Sequence, residues 1–353
     1  MNPKFWRDKK VFLTGHTGFK GGWLSLWLQS MGAKVYGYAL NPATDPSLFT
    51  VANIGAGMAG STIADIRDAT TLCNAIRSAQ PDIVFHLAAQ PLVRYSYANP
   101  IETYAVNVMG TINLLEAVRQ TSSTRAVVNV TSDKCYENRE QDLPYREDDP
   151  MGGHDPYSSS KGCAELVTTA YRKSFLDAAK VALASARAGN VIGGGDWAAD
   201  RLIPDFLRAI DVDQPLMIRS PDAVRPWQHV LEPLAGYLKL AERLFDEGTA
   251  FAEGWNFGPT AEDARSVRWI VEQLVAAIPN ASWQCDMTPQ PHEASHLKLD
   301  SSKASARLRW QARWRLEDAL RKTLDWHAAW RSGEDMRERT LAQIHSYESV
   351  GTD

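Results

Sequence analysis

The chain has 353 residues, 44% hydrophobic and 23% charged, enough to bury a large core and too long for one small module. Its 38 Lys and Arg against 42 Asp and Glu leave a net charge of −4, which excludes a general nucleic-acid binder, because affinity for a polyanion is carried mainly by basic surface. No stretch approaches the roughly 18 uncharged apolar residues of a membrane span, and the charged start MNPKFWRDKK is unlike a signal peptide, so a cytoplasmic protein without a membrane partner is expected.

In chain order, short β-branched apolar runs alternate with stretches whose apolar residues lie three and four apart. Residues 10–14 read as a first strand, followed by a helix over about 19–31 that Gly32 stops. A second strand at 35–38 and a third at 61–64 lead to Asp68, a good cap for a helix to about residue 79. Residues 82–87 suit a strand covered on both faces, and a long helix over about 100–120 follows. The fifth strand is 126–131, a helix spans about 157–175, and 181–186 is the sixth strand. Six strands with crossover helices predict an α/β fold, a doubly wound parallel Rossmann sheet over residues 1–188.

Beyond Gly189 the regularity breaks at Gly193-Gly194-Gly195 and scattered prolines. Helices at about 203–210, 230–246, 266–278 and 316–330 predict a smaller α/β substrate lobe over 189–353, with chain crossing between the lobes allowed, and a polar tail from Arg331 that is an exposed or frayed helix. Cys73, Cys135, Cys163 and Cys285 lie far apart with no CxxC spacing, and no His/Cys/Asp/Glu cluster has metal-ligand spacing, so neither disulfides nor a metal are expected. Tryptophan is in excess, with 12 in all and eight from Trp227 onward.

Between the first strand and first helix, Thr14-Gly15-His16-Thr17-Gly18-Phe19-Lys20-Gly21 forms a TGxxGxxG loop. Its glycines allow a tight turn and close approach of backbone to a pyrophosphate, and the helix N-terminus adds amide donors, which predicts dinucleotide binding by Gly15, Thr17, Gly18, Phe19, Lys20 and Gly21. An acidic residue that would hold the adenosine ribose is absent from Tyr38-Ala39-Leu40-Asn41. The lack of Lys or Arg between Lys34 and Arg67 favours NAD, while Lys20 keeps NADP open. In Asp65-Ile66, Asp65 is placed either to accept from the adenine amino group or to cap a helix. His16, His86 and His229 read as structural.

Tyr157 and Lys161 are one helical turn apart and share a face. A nearby cation favours phenolate, making Tyr157 a base for a sugar or alcohol hydroxyl as hydride leaves the carbon. Thr131, ending the fifth strand, is expected to face the same crevice.

TGxxGxxG, HLAAQ at 86–90, TSD at 131–133 and YxxxK at 157–161 together resemble the extended short-chain dehydrogenase/reductase family over nearly the whole chain, and within it the nucleotide-sugar 4,6-dehydratases. GHTGFKGGWLSLWL (15–28), TSDKCYEN (131–138), RAGNVIGGGDW (187–197) and RPWQHVLEPL (225–234) are similar to the branch acting on CDP-hexoses. The resemblance implies bound NAD, with Ile66, Leu87, Ala88 and Ala89 joining its site, and a CDP-hexose substrate oxidised at C4, dehydrated across C5 and C6, and reduced at C6. It implies Tyr157 as base for the C4 hydroxyl, Lys161 as its partner and ribose anchor, Thr131 as hydrogen-bond donor near O4, and Asp133 as acid for water loss. Lys134 stands where dTDP-glucose relatives carry Glu, and is read as the C5 base or as a positioning group. Arg225 matches the position on the substrate pyrophosphate. Arg201, Arg219 and Asn190 are further candidates and Glu293 corresponds to a ribose-holding carboxylate, with plain solvent exposure the alternative for Arg201, Arg219 and Glu293. A homodimer or homotetramer through the helices at 100–120 and 157–175 is implied as well. The rivals are an epimerase or reductase using Tyr157 and Lys161 alone, which leaves Asp133-Lys134 without a role, and a non-catalytic NAD-binding regulator, which would not need the tyrosine–lysine pair.

Overall fold

The structure, a computed structural model, describes residues 1–141, 143–286, 288 and 296–350. Among them, the main sheet contains β1 (Lys10–Thr14), β2 (Lys34–Ala39), β3 (Gly60–Ile63), β4 (Ile83–His86), β5 (Ala126–Val130), β6 (Ala182–Ala188) and β7 (Gly254–Phe257). The order is β7-β6-β5-β4-β1-β2-β3, with every neighbouring pair parallel. The chain reverses direction of growth between β1 and β4, and that switch point opens a crevice at the carboxyl ends of the strands.

Strand parity builds the two cores. Val11, Leu13, Ile83, Phe85, Ala126 and Val128 face α1 (Phe19–Ser30), while Phe12, Val84 and Val127 face the opposite layer with α2 (Ala69–Ala79) and α3 (Gly110–Arg119). β4, β5 and β6 are buried along their whole lengths, as continuous Val/Ile/Ala runs require. α4 (Pro156–Tyr171) starts with Asp155 accepting from the Ser158 amide at 2.9 Å and Pro156 in its first turn. In the second half, α5 (Leu202–Asp211), α7 (Val267–Ala277) and α8 (Leu316–Arg331) enclose a separate core of Ile203, Phe206, Ile218, Trp227, Ile270 and Leu316. α6 (Leu231–Glu247) instead packs on the main sheet.

Three features depart from expectation. The sheet has a seventh strand, β7, drawn from the second half of the chain. Gly254 and Asn256 have low strand propensity and the run is four residues long, so periodicity gave it no signal. The polar tail is a packed helix, α9 (Met336–Ser349), whose buried Met336, Thr340, Ile344 and Tyr347 make a narrow seam among charged residues, with Tyr347 edge-on to Trp27 of α1 at 5.7 Å. The helix over 100–120 contains a π-helical turn, Ala105–Met109, and α4 runs into another, Arg172–Leu176. No helix among the described residues is long and apolar enough to cross a membrane.

Candidate active site

The glycine loop is shaped for close approach. Gly15 has φ +76°, and a Cβ on Gly21 would lie 2.0 Å from the Gly15 carbonyl oxygen, so neither position tolerates a side chain. α1 begins at Gly18 with no side-chain cap, leaving its first amides open to the cavity. Thr14 Oγ accepts from the Leu87 and Ala88 amides at 3.1 Å each and pairs with His86 Nδ1 at 2.7 Å, which pins the Leu87-Ala88-Ala89 wall beside the loop. Thr17 Oγ donates to the Leu40 carbonyl at 2.9 Å. Gly15, Thr17, Gly18, Gly21, Leu87, Ala88 and Ala89, with Phe19, Lys20 and Ile66, line one cavity of about 610 Å³. His16 is buried on Ser61 Oγ at 2.8 Å, and burial lowers its pKa to about 4 and that of His86 to about 3, so both are neutral packing groups.

Asp65 lines the same cavity, but Arg67 holds both carboxylate oxygens, at 2.5 Å and 3.0 Å. It is not the helix cap, which is Asp68 accepting from the Thr71 amide at 3.0 Å. Lys20 points toward the catalytic end. Burial and the charges of Arg201 and Lys161 lower its pKa to about 8, while Asp133 opposes them. An ammonium among those groups is not a clamp for an adenosine 2′-phosphate.

Tyr157, Lys161 and Glu165 follow one another at single turns along one buried face of α4. Burial pushes the Tyr157 phenol up to about 12, against a hydrogen bond with Ser132 and the charge of Arg201, so desolvation outweighs the cationic surroundings that sequence spacing led one to expect. Burial likewise lowers Lys161 to about 8.

Thr131 corrects another expectation. Its hydroxyl donates to Glu165 Oε1 at 2.5 Å, and Glu165 also accepts from Ser185 Oγ at 2.6 Å and from Arg187 at 2.8 Å through each of two nitrogens. Arg187 and these donors keep the buried carboxylate below its ordinary pKa, hence an acceptor only. The Thr131 hydrogen is thus committed inward and unavailable to a sugar O4. Parity explains this: Asn129 on the same strand face bonds Thr168 of α4 at 2.7 Å, and Thr131, two residues on, meets Glu165 of that helix.

The hydroxyl beside Tyr157 is that of Ser132, which the motif reading passed over. Ser132 caps the short turn Asp133–Cys135, accepting from the Lys134 amide at 3.2 Å, and donates to Asp133 Oδ1 at 2.9 Å. Asp133 is buried, its Oδ2 has no hydrogen-bond partner among the described residues, and burial raises its pKa despite the charges of Lys134, Arg225 and Lys20. Lys134 is half-buried at the same wall.

Asn190, Arg201, Arg219 and Arg225, expected on the substrate side, line the same cavity as Asp133, Lys134, Tyr157 and Lys161. Arg225 is buried, Arg201 pairs with Asp196 at 2.8 Å and Arg219 with Asp200 at 2.8 Å. Asp196 lies in the RAGNVIGGGDW string without an assigned role, and Asp200 lies in no motif. Glu293 lies outside the described residues.

A glycine loop under an open helix end, a tyrosine–lysine pair on α4 and a switch-point crevice define an extended short-chain dehydrogenase/reductase. More particularly, the chain belongs to the GDP-mannose 4,6-dehydratase family, whose sequence model matches residues 12–323. It is 56% identical over its full length to the CDP-glucose 4,6-dehydratase of Salmonella typhimurium strain LT2, covering 99% of that protein. It is 27% identical to a probable dTDP-glucose 4,6-dehydratase of Sinorhizobium fredii, covering 90% of this chain and 92% of that one. The fold matches the crystal structure of dTDP-glucose 4,6-dehydratase from Bacillus anthracis in complex with NAD, with a TM-score of 0.75, 21% identity, and coverage of 91% and 96%.

Proposed function

We propose that the protein is an NAD-dependent 4,6-dehydratase converting CDP-glucose to CDP-4-dehydro-6-deoxyglucose and water. The observation that carries this is a second acid–base pair, Asp133 and Lys134, in the same cavity as Tyr157 and Lys161. A simple epimerase or reductase needs only the tyrosine–lysine pair, whereas dehydration must also take a proton from C5 and deliver one to O6. The choice of CDP-glucose is supported by the full-length likeness to the Salmonella enzyme.

The open amides of Phe19 and Lys20 and the side-chain-free faces of Gly15 and Gly21 fit a dinucleotide pyrophosphate. When bound, NAD accepts hydride from C4 and returns it to C6. Lys161 anchors the nicotinamide ribose, and Asp65 and Ile66 bound the adenine end. Tyr157 takes the proton of the C4 hydroxyl. Oxidation at C4 acidifies C5–H, Lys134 removes that proton, and Asp133, kept protonatable by burial, protonates the departing O6. Arg225, Arg201, Arg219 and Asn190 hold the CDP pyrophosphate, the last two arginines exchanging their carboxylate partners for phosphate oxygens. We infer self-association through the outer faces of the helices at 100–119 and 156–171, which leave Ile101 and Leu166 exposed.

Purified protein is tested against CDP-glucose, dTDP-glucose, UDP-glucose and GDP-mannose, following the near-ultraviolet absorbance of a 4-keto-6-deoxy product in base. CDP-glucose is expected to be consumed fastest. No turnover of CDP-glucose would overturn the assignment.

A further inference from the structure

Asp133 and Lys134 sit on the short turn Asp133–Cys135, outside every strand of the main sheet. Bonds within the turn are long, with the Lys134 amide 3.2 Å from Ser132 Oγ and the Cys135 amide 3.3 Å from the Ser132 carbonyl oxygen. Such a turn does not by itself hold two side chains to the roughly 0.5 Å that acid–base chemistry demands.

A ring of buried side chains supplies the constraint from behind. At the entry to the turn, Thr131 Oγ donates to Glu165 Oε1 at 2.5 Å. Arg187, on β6, gives Nε and Nη2 to the two oxygens of that carboxylate at 2.8 Å each. Its third nitrogen, Nη1, donates to the Tyr136 hydroxyl at the exit of the turn, at 2.7 Å. That hydroxyl donates in turn to Asn256 Oδ1 on β7 at 2.7 Å. Backbone from Thr131 to Tyr136 closes the ring, and all five side chains are buried. The planar fork of an arginine spans a carboxylate and a phenol at once, which the point charge of a lysine does not. A buried ion pair is weak evidence of added stability, because desolvation offsets the attraction, whereas a fully bonded buried network fixes geometry.

We propose that Arg187 is a positioning residue for dehydration, clamping both ends of the segment 131–136 so that Asp133 and Lys134 keep a fixed placement toward C6 and C5. The proposal rests on the dehydratase assignment. Tyr157 and Lys161 are held by other bonds of α4: Asp155 caps its start, Asn107 Nδ2 donates to Ser160 Oγ at 2.9 Å, and Asn129 Nδ2 donates to Thr168 Oγ at 2.7 Å. Loosening the Tyr136 end therefore acts on water loss and spares oxidation at C4. A general loss of stability would not divide the two steps in this way.

The test follows the absorbance of reduced cofactor after rapid mixing of the NAD-loaded enzyme with CDP-glucose. Tyr136→Phe keeps the ring that stacks on Tyr145 at 5.2 Å and removes only the hydroxyl that Arg187 and Asn256 hold. Reduced cofactor is expected to form at near the unaltered rate and then to persist, its disappearance slowed by about 10- to 10²-fold. Arg187→Lys, which keeps a cation beside Glu165 without the fork, is expected to show the same split, and Tyr136→Phe decides alone if that variant does not fold. Disappearance at the unaltered rate in Tyr136→Phe, or oxidation slowed as much as disappearance, overturns the clamp. If the unaltered enzyme does not act on CDP-glucose at all, the dehydratase assignment falls and the clamp with it.

Discussion

Asp133 and Lys134 are neighbours in the chain in different surroundings, one buried with an unpartnered oxygen and the other half-exposed on the cavity wall. That difference suits a split of labour in which the carboxyl serves O6 and the amine serves C5. Replacing Lys134 by Gln is expected to cut deuterium incorporation at C5 by on the order of 10²-fold while reduced cofactor still forms. C5 exchange at the normal rate would leave Lys134 only the holding of sugar hydroxyls. At this scale the sequence was informative where spacing alone decides geometry: Tyr157 and Lys161 share a face because helical period places them there. It was misleading where geometry depends on what lies underneath. A threonine and a serine in tandem look equivalent, yet strand parity sends Thr131 to Glu165 and leaves Ser132 beside the phenol. The direction of the Tyr157 shift was equally hidden, since desolvation is a property of the folded cavity.

Among the elements, those with long apolar runs or a strong helical period were legible, and two that depend on tertiary partners were not. β7 exists because it completes an edge beside β6, and α9 exists because a few apolar residues find α1. α9 is also held by one buried carboxyl. Glu232 of α6 accepts from the Arg313 amide at 3.0 Å, the Trp314 amide at 2.8 Å and the Tyr347 hydroxyl at 2.7 Å, tying α6, the segment before α8, and α9 together. Burial pushes its pKa up from an ordinary 4.5 to about 7. A carboxyl whose folded pKa is raised costs the folded state nothing below about 4.5, and costs progressively more as pH rises through about 7, where the loss reaches on the order of 3 kcal/mol. Glu232→Gln removes that titration but also disturbs its three hydrogen bonds. The variant is therefore expected to be less stable at about pH 5, with the deficit shrinking toward about pH 8, as read by urea unfolding at both. A deficit independent of pH would show that Glu232 does not titrate in this window.

At the scale of the molecule, part of the tryptophan excess lies at the join between the two halves of the chain, while Trp227, Trp269 and Trp283 sit in the second-half core. Trp23 of α1 donates to the Gly194 carbonyl at 3.0 Å and lies edge-on to His229, which in turn meets Trp314, while Trp326 packs so closely on Gly194 that a Cβ there would lie 2.0 Å from its ring. That join is thus built from both halves of the chain, which is why composition could signal the excess without saying where it goes. Two neighbouring helices also carry exposed apolar side chains. Ile101 is 85% exposed and Leu166 63% exposed, on helices that pack against each other and whose inner faces carry Asn107 and Tyr157. Apolar groups this exposed on two adjacent helices suit an isologous contact, in which the same pair of helices from a second copy covers them. The protein is expected to behave as a dimer or a multiple of it in light scattering at micromolar concentration. The double variant Ile101→Asp with Leu166→Asp places two desolvated charges per subunit in that contact, a cost of several kcal/mol, and is expected to yield monomers with an unchanged circular dichroism spectrum. A monomeric unaltered protein, or a double variant that still dimerises, would show that these helices are not the contact.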